Sequence, residues 1–321
     1  MTRRAIARSD LLALILAAVC WGTGTVISKA ALAEIAPITL LAIQLASSLA
    51  VLAVVMRSQG VGLRNDGPAL LGRLGLLNPG AAYALSLLGL VTITASLSVL
   101  LWALEPLLIL FLAAWFLREP VTPRLVVLSL IALAGMLLVV YDPASSGQLI
   151  GVALTVAGVV CCAVYSVVTR RFIPDARETS QVVLSQQAHA LVFALVLVVL
   201  AGIAGGTMLP QDLTAVGLAS AVGSGVLYYA GAYWFYLGAL RHVPASLAAT
   251  SFYLIPIVGV AAGAVLLGER LAPQQWVGAV AVLAALFGIL IRSPEASPIG
   301  EASVADSRSP SGDVILPEAR G

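Results

Sequence analysis

Ten apolar runs follow one another along this chain, separated by short polar punctuation. They occupy about 11–33, 37–56, 69–90, 93–117, 124–141, 148–170, 181–203, 213–239, 245–267 and 273–291, with ends set to about three residues. A helix of about 20 residues crosses a hydrocarbon core of roughly 30 Å, and the shorter runs do so with some thinning or snorkelling. Helix is predicted throughout because lipid cannot satisfy an open backbone. The punctuation is Pro, Gly and charge, as in Arg64-Asn65-Asp66-Gly67-Pro68, Asp142-Pro143 and Pro174-Asp175. Thr122-Pro123 reads as an N-cap followed by a first-turn proline. From Ser293 the chain turns polar, with Pro294, Pro298 and Pro310, so 293–321 is expected to be a disordered tail.

Composition turns those runs into membrane spans. Of 321 residues, 60% are hydrophobic and only 10% charged, with a mean hydropathy of +1.04. A water-soluble domain carries about 25% charged residues. The chain is therefore expected to use lipid as solvent, and no nucleic-acid partner is indicated. The first run follows Arg3, Arg4 and Arg8 and continues from Leu11 past Cys20 to about Ala33. That is too long for the core of a secretion signal, so it counts as the first span. Cys20, Cys161 and Cys162 lie in apolar runs and read as packing residues. Nothing has the spacing of a metal site, and no metal or cofactor is expected.

The second half partly copies the first. Ala95-Ser96-Leu97 matches Ala245-Ser246-Leu247, Pro106 matches Pro256, Glu119 matches Glu269 and Pro123 matches Pro273, all at an offset of 150. Ten spans make two sets of five, and five is odd, so the second set enters the membrane from the opposite side. The fold class expected is an all-α integral membrane protein, its ten transmembrane helices forming an inverted repeat of two five-helix halves. Residues 11–143 make one half and 148–292 the other. Such halves enclose a site near the midplane and expose it to each side in turn.

Arginine placement sets the orientation. With residues 1–10 cytoplasmic, the inner segments hold Arg3, Arg4, Arg8, Arg57, Arg64, Arg73, Arg118, Arg124, Arg170, Arg171, Arg177, Arg241 and Arg292. The outer loops hold Glu34, Asp142 and Asp212, with Arg270 beside Glu269 as the basic exception. Both termini are then cytoplasmic, in a bacterial-type inner (plasma) membrane; one miscounted span would flip one end.

The chain resembles the drug/metabolite transporter superfamily, specifically its ten-helix EamA-type members. The residues that carry the resemblance are Trp21-Gly22 and Lys29, Ala95-Ser96-Leu97, Pro106 and Leu117-Arg118-Glu119, then Pro244-Ala245-Ser246, Pro256, Leu267-Gly268-Glu269-Arg270, Trp276 and Gly278. The resemblance spans about residues 11–291. It implies a helix bundle around a central cavity, often in an exporter, and leaves the solute open. Two departures stand out. Gln44 sits where many relatives carry Arg, and Arg118 replaces the commoner Gly before Glu119.

Intramembrane polar groups are the candidates for transport chemistry, since a charge there costs about 2.5–3.5 kcal/mol on insertion scales. Glu105 precedes Pro106 in the middle of the fourth span. Pro106 cannot donate to the carbonyl of Trp102, so a helix break is expected there and, by the repeat, at Pro256. Glu105 either binds a cation or a proton at the new helix end or is a structural carboxyl satisfying the break. Its repeat counterpart is Ile255, so the break does not itself require an acid. Ser98, Trp102 and Glu105 share a face.

Lys29 is the one lysine among 17 basic residues. Trp21, Thr25, Ser28 and Lys29 form a stripe expected to face the bundle interior. Lys29 then meets an anionic solute or Glu105, or it snorkels outward, lying about 10 Å beyond the span centre. Tyr229 and Tyr233 in the eighth span, with Tyr236, Tyr228 and Trp234 nearby, offer stacking or cation binding, against ordinary packing. His189 shares a face with Gln186 and is either a proton relay or a satisfied core histidine. Gln44 with Ser48, and Asn78 before Pro79, are further polar candidates, with interhelical hydrogen bonding as the plainer reading. Gly259 and Gly263 have GxxxG spacing for close packing.

The function expected is a secondary active transporter exporting a small metabolite (amino-acid-like, a base or drug-like) by alternating access, driven by the solute gradient or by proton exchange through Glu105. The partners expected are the solute and the bilayer. The alternatives are an intramembrane lipid-modifying enzyme and a non-transporting sensor. No P-loop exists, because the sole lysine is followed by Ala30 with no Gly-rich loop before it. No nucleophile elbow or paired acidic motif supports an enzyme.

Overall fold

The protein is described by a computed structural model covering residues 8–64, 68–116, 123–140, 148–172, 179–205, 213–240, 242–243 and 251–290. Arg3, Arg4, the 65–67 turn, the segment holding Leu117, Arg118, Glu119 and Thr122, Asp142, Pro143, Pro174, Asp175, Arg177, Asp212, Arg241, the repeat motif 244–247, Arg292 and the expected tail lie outside these residues.

Every described element is helical. They are α1 (Arg8–Ala31), α2 (Pro37–Ser58), α3 (Ala69–Arg73), α4 (Ala82–Leu90), α5 (Ala95–Trp102), α6 (Glu105–Phe116), α7 (Pro123–Val140), α8 (Gln148–Phe172), α9 (Ser180–Ile203), α10 (Ala215–Gly225), α11 (Ala232–Leu240), α12 (Leu254–Leu267) and α13 (Pro273–Leu290). Paired in line, α3 with α4, α5 with α6 and α10 with α11 make single spans, so the helices form ten. Six of these, among the described residues, are long and apolar enough to cross a membrane.

Local chemistry sets the helix ends. Pro37, Pro123 and Pro273 open α2, α7 and α13, where a missing N–H leaves no bond unmade. Thr94, Thr179 and Thr214 cap α5, α9 and α10 by accepting from the amides of Leu97, Val182 and Gly217. Gly268 ends α12 in the left-handed conformation, φ 67°, which a Cβ would penalise.

Two spans are wound irregularly at matching places in the two halves. A 3-10 turn (Leu74–Leu76) and a π-turn (Leu77–Ala81) join α3 to α4, with Asn78 at a non-helical φ of −138°. A π-turn (Val226–Gly231) joins α10 to α11. The fourth span breaks at Ala103 and Leu104, just before Pro106, and in the ninth a 3-10 turn (Ser251–Tyr253) lies just before Pro256.

Packing obeys the inverted repeat. Exchanging spans one to five with six to ten turns the α4–α8 contact into α1 against α10 and α11, α1–α12 into α6–α8, and α2–α10 into α3–α9. The α2–α9, α5–α12 and α7–α13 contacts map onto themselves. Small residues let the helices approach: a Cβ on Gly22 would come within 2.9 Å of the Ile255 carbonyl and the Gly259 amide. Large apolar side chains such as Phe111, Trp115, Ile203 and Val265 face outward, as a lipid-facing surface requires.

Candidate functional site

A cavity lies in the middle of the bundle, lined by α1, α2, α4 and α5 of the first half and by the α10–α11 π-turn of the second. One side is polar: Thr25, Ser28, Gln44 and Ser98. The other is a ring wall of Tyr83, Trp102, Tyr228 and Tyr229, with Ser86 behind it. Tyr83 stacks on Trp102 at 5.1 Å with planes 14° apart. Tyr228 and Tyr229 meet the Tyr83 ring edge-on, each at 5.3 Å. The Trp102 Nε1–H donates to Ser86 Oγ at 2.9 Å, which fixes the indole. About 20 Å³ of the cavity is open to water, enough for about one molecule, so a metabolite enters only after the walls part.

The π-turn explains how the rings gather. Tyr229 and Tyr233 are four residues apart and would share a face of an α-helix. The wider π-turn rotates the chain between them. Tyr229 therefore turns into the cavity, while Tyr233 packs on Trp21 at 5.5 Å, in a second ring cluster with Tyr236 and Phe252. Gln187 donates to the Tyr229 carbonyl at 2.8 Å and accepts from Ser48 at 2.7 Å, tying the turn to α2 and α9.

The remaining candidates stand around the cavity rather than in its wall. Lys29 does not line it: its Nζ donates to the carbonyls of Leu90 and Val91, at 2.8 and 3.1 Å, where α4 ends. A cation at a helix C-terminus is favourable, and those carbonyls lack intrahelical partners. Glu105 is the first residue of α6 and accepts from the Cys162 thiol of α8 at 3.1 Å. It is within electrostatic reach of Tyr228. His189 is bonded through Nδ1 to the Ser185 carbonyl at 2.8 Å, so that nitrogen carries the proton. Its neighbour Gln186 donates to the Leu71 carbonyl and to Tyr165. Asn78 is buried in the first π-turn, its Oδ1 without a hydrogen-bond partner. Of the polar candidates, then, Thr25, Gln44, Trp102 and Tyr229 come together with Ser28 and Ser98, and Lys29, Glu105, Trp21, Tyr233, Asn78 and His189 do not join them.

At one end of the bundle two side chains grip the corner between α4 and α5. Lys29 holds the α4 end. Glu269, just past α12, accepts from the backbone amides of Ala95 and Ser96, at 2.7 and 2.8 Å, and from Ser96 Oγ at 2.6 Å. These are orphan donors at the start of α5. A Cβ on Gly263 would press on both Glu269 and Ser96, so glycine there makes room for the clasp. At the same end Glu34 accepts from the Thr214 amide and hydroxyl, both at 2.8 Å, holding the start of α10.

Tyr83, Gln187 and this use of Glu269 are the functional positions that the sequence did not single out. A tyrosine inside a lipid-spanning run was the available signal for Tyr83. The duplicated Glu119 and Glu269 were visible as a repeat mark, but nothing in the spacing named the amides that Glu269 meets.

The EamA-like transporter family matches this chain over residues 8–141 and again over 149–291. No curated protein matches it. One solved crystal structure, of a protein without a descriptive name, aligns with 88% of this chain and 96% of its own at a TM-score of 0.61. At 18% identity that likeness concerns the fold alone.

Proposed function

Because the chain belongs to the EamA-like transporter family, we propose that it is a secondary active transporter exporting a small metabolite by alternating access. The observation that carries this is the cavity, which both halves of the inverted repeat line. A site between two such halves is what rocking exposes first to one side and then to the other. The cavity has room for about one water, so it must widen to take a metabolite. The arginine distribution supports cytoplasmic termini, and the clasped end, with Glu34 and Glu269, then faces outward. Glu105 is the coupling candidate, a carboxyl at the start of α6 near Tyr228 of the ring wall, in a span where a charge is costly.

The test is flux through liposomes that contain only this chain. Loading them with labelled amines, bases and amino acids in turn should give counterflow of at least one compound. No exchange of any compound by folded, correctly inserted protein would remove the transport reading and leave the sensor alternative.

A further inference from the structure

We infer that the central cavity is an amine site: it takes a solute carrying a protonated nitrogen with N–H bonds on a flat or apolar body, and it rejects carboxylates. This deepens the transport reading and rests on it in one respect, that the occupant is the cargo.

The argument begins with the amide of Gln44, which is 1% exposed. An amide can be turned either way, so its neighbours must decide. Ser28 Oγ donates to the Gly24 carbonyl at 2.8 Å, and Ser224 Oγ donates to the Ala221 carbonyl at 3.0 Å. Each hydroxyl has one proton, and both protons are thereby committed. The two serines can only accept from Gln44, whose Nε2 indeed reaches both at 2.8 Å. The amide is thus locked, and its Oε1 is left buried without a hydrogen-bond partner. A buried acceptor in that position calls for a donor from an occupant.

Other polar lining groups also offer acceptors. Thr25 turns its hydroxyl proton to the Trp21 carbonyl at 3.1 Å, leaving lone pairs for the cavity. The indole N–H of Trp102 is held by Ser86. Ser98, 1% exposed, has no hydrogen-bond partner for Oγ and supplies a second acceptor. The ring wall adds π faces, which attract cations. Among the described residues no basic side chain lines the cavity, and Lys29 is held on carbonyls at the α4 end. An anion here would lose its water and meet no positive charge, only neutral hydroxyls beside π clouds. An ammonium would meet an amide oxygen, a hydroxyl and four rings.

The experiment is calorimetric titration of the full chain in nanodiscs at neutral pH with three probes of one shape. These are 2-phenylethylamine, 3-phenylpropanoate and N,N,N-trimethyl-2-phenylethylammonium. The amine should bind at least about tenfold tighter than the carboxylate, with the trimethyl cation between them, since it keeps the charge but has no N–H. Gln44→Met should weaken the amine about tenfold and leave the trimethyl cation unchanged. Gln44 ties α1 to α10, so Ser98→Ala, which breaks no bond in the unoccupied cavity, is the second variant and should also weaken the amine selectively. Carboxylate binding as tight as the amine overturns the proposal. So does equal loss for both cations in the variants, or no saturable amine binding by monodisperse wild-type protein. Flux separates the two readings: liposomes that move other solutes while the amine fails to bind keep the transporter and lose the amine site. Saturable amine binding without flux of any compound does the reverse.

Discussion

Lys29 shows how much a single side chain depends on what its spacing hides. From the helical stripe it belongs with Trp21, Thr25 and Ser28, yet only the latter two reach the cavity. Lysine is long enough to leave its own face, and the carbonyls at the end of α4 are the nearest unpaired acceptors it meets. Lys29→Ala should therefore lower stability by about 1.5–3 kcal/mol, the usual worth of a charged hydrogen bond. It should leave relative solute affinities unchanged. Thermal unfolding in nanodiscs beside a binding titration checks both, and an affinity change confined to anionic solutes would return Lys29 to the binding surface. Glu105 is the opposite case, a group whose structural bonds survive a neutral replacement. Gln at position 105 still offers an oxygen to the Cys162 thiol and still begins α6. Glu105→Gln should accordingly leave the melting temperature near wild type and keep solute counterflow. It should abolish uptake driven by a proton gradient. Wild-type gradient-driven rates in that variant would take Glu105 out of the coupling step.

At the scale of elements, the spans were legible because a run of about 20 apolar residues has one physical solution in lipid. The turn at Ala103 and Leu104, just before Pro106, was legible too, since proline lacks a donor. The π-turns were not. Val226–Gly231 contains no proline, and its effect is to rotate Tyr229 away from Tyr233, which a uniform helical period cannot express. That is why the ring wall was half seen: Trp102 and Tyr229 were singled out, but Tyr83, which faces both, was missed. The clasp was hidden for another reason, because it joins Glu269 to amides 173 and 174 residues away. It makes a prediction about α5 and α12. Glu269→Ala removes three hydrogen bonds to one helix start, and even one charged hydrogen bond is worth about a tenfold population shift. A cysteine introduced at buried Ile93, in the same corner, should then react about tenfold faster with a membrane-impermeant maleimide added from outside. An unchanged rate would mean that the clasp does not hold this end shut.

For the whole molecule, the contacts that map onto themselves under the inverted repeat fix where motion can occur. The α5–α12 crossing lies on that pseudo-axis and carries the clasp at one end, so opening that end requires the start of α5 to part from the end of α12. The α7–α13 crossing also lies on it, but there Gly135 and Gly278 meet backbone to backbone, which favours a fixed hinge over a sliding contact. A covalent bridge across the first crossing is the direct test. A Cβ on Gly263 would stand 2.7 Å from Ser96 Oγ, close enough for a disulfide between cysteines at the two positions. In Ser96→Cys with Gly263→Cys, oxidation should stop solute flux, and reduction with dithiothreitol should restore it. Both substitutions disturb the Glu269 clasp, so the bridge stands in for it and holds α5 against α12 in its place. If the oxidised double variant still carried solute at the reduced rate, the clasped end would not be a route to the cavity. The two halves would then have to open the site by a motion that leaves α5 and α12 together.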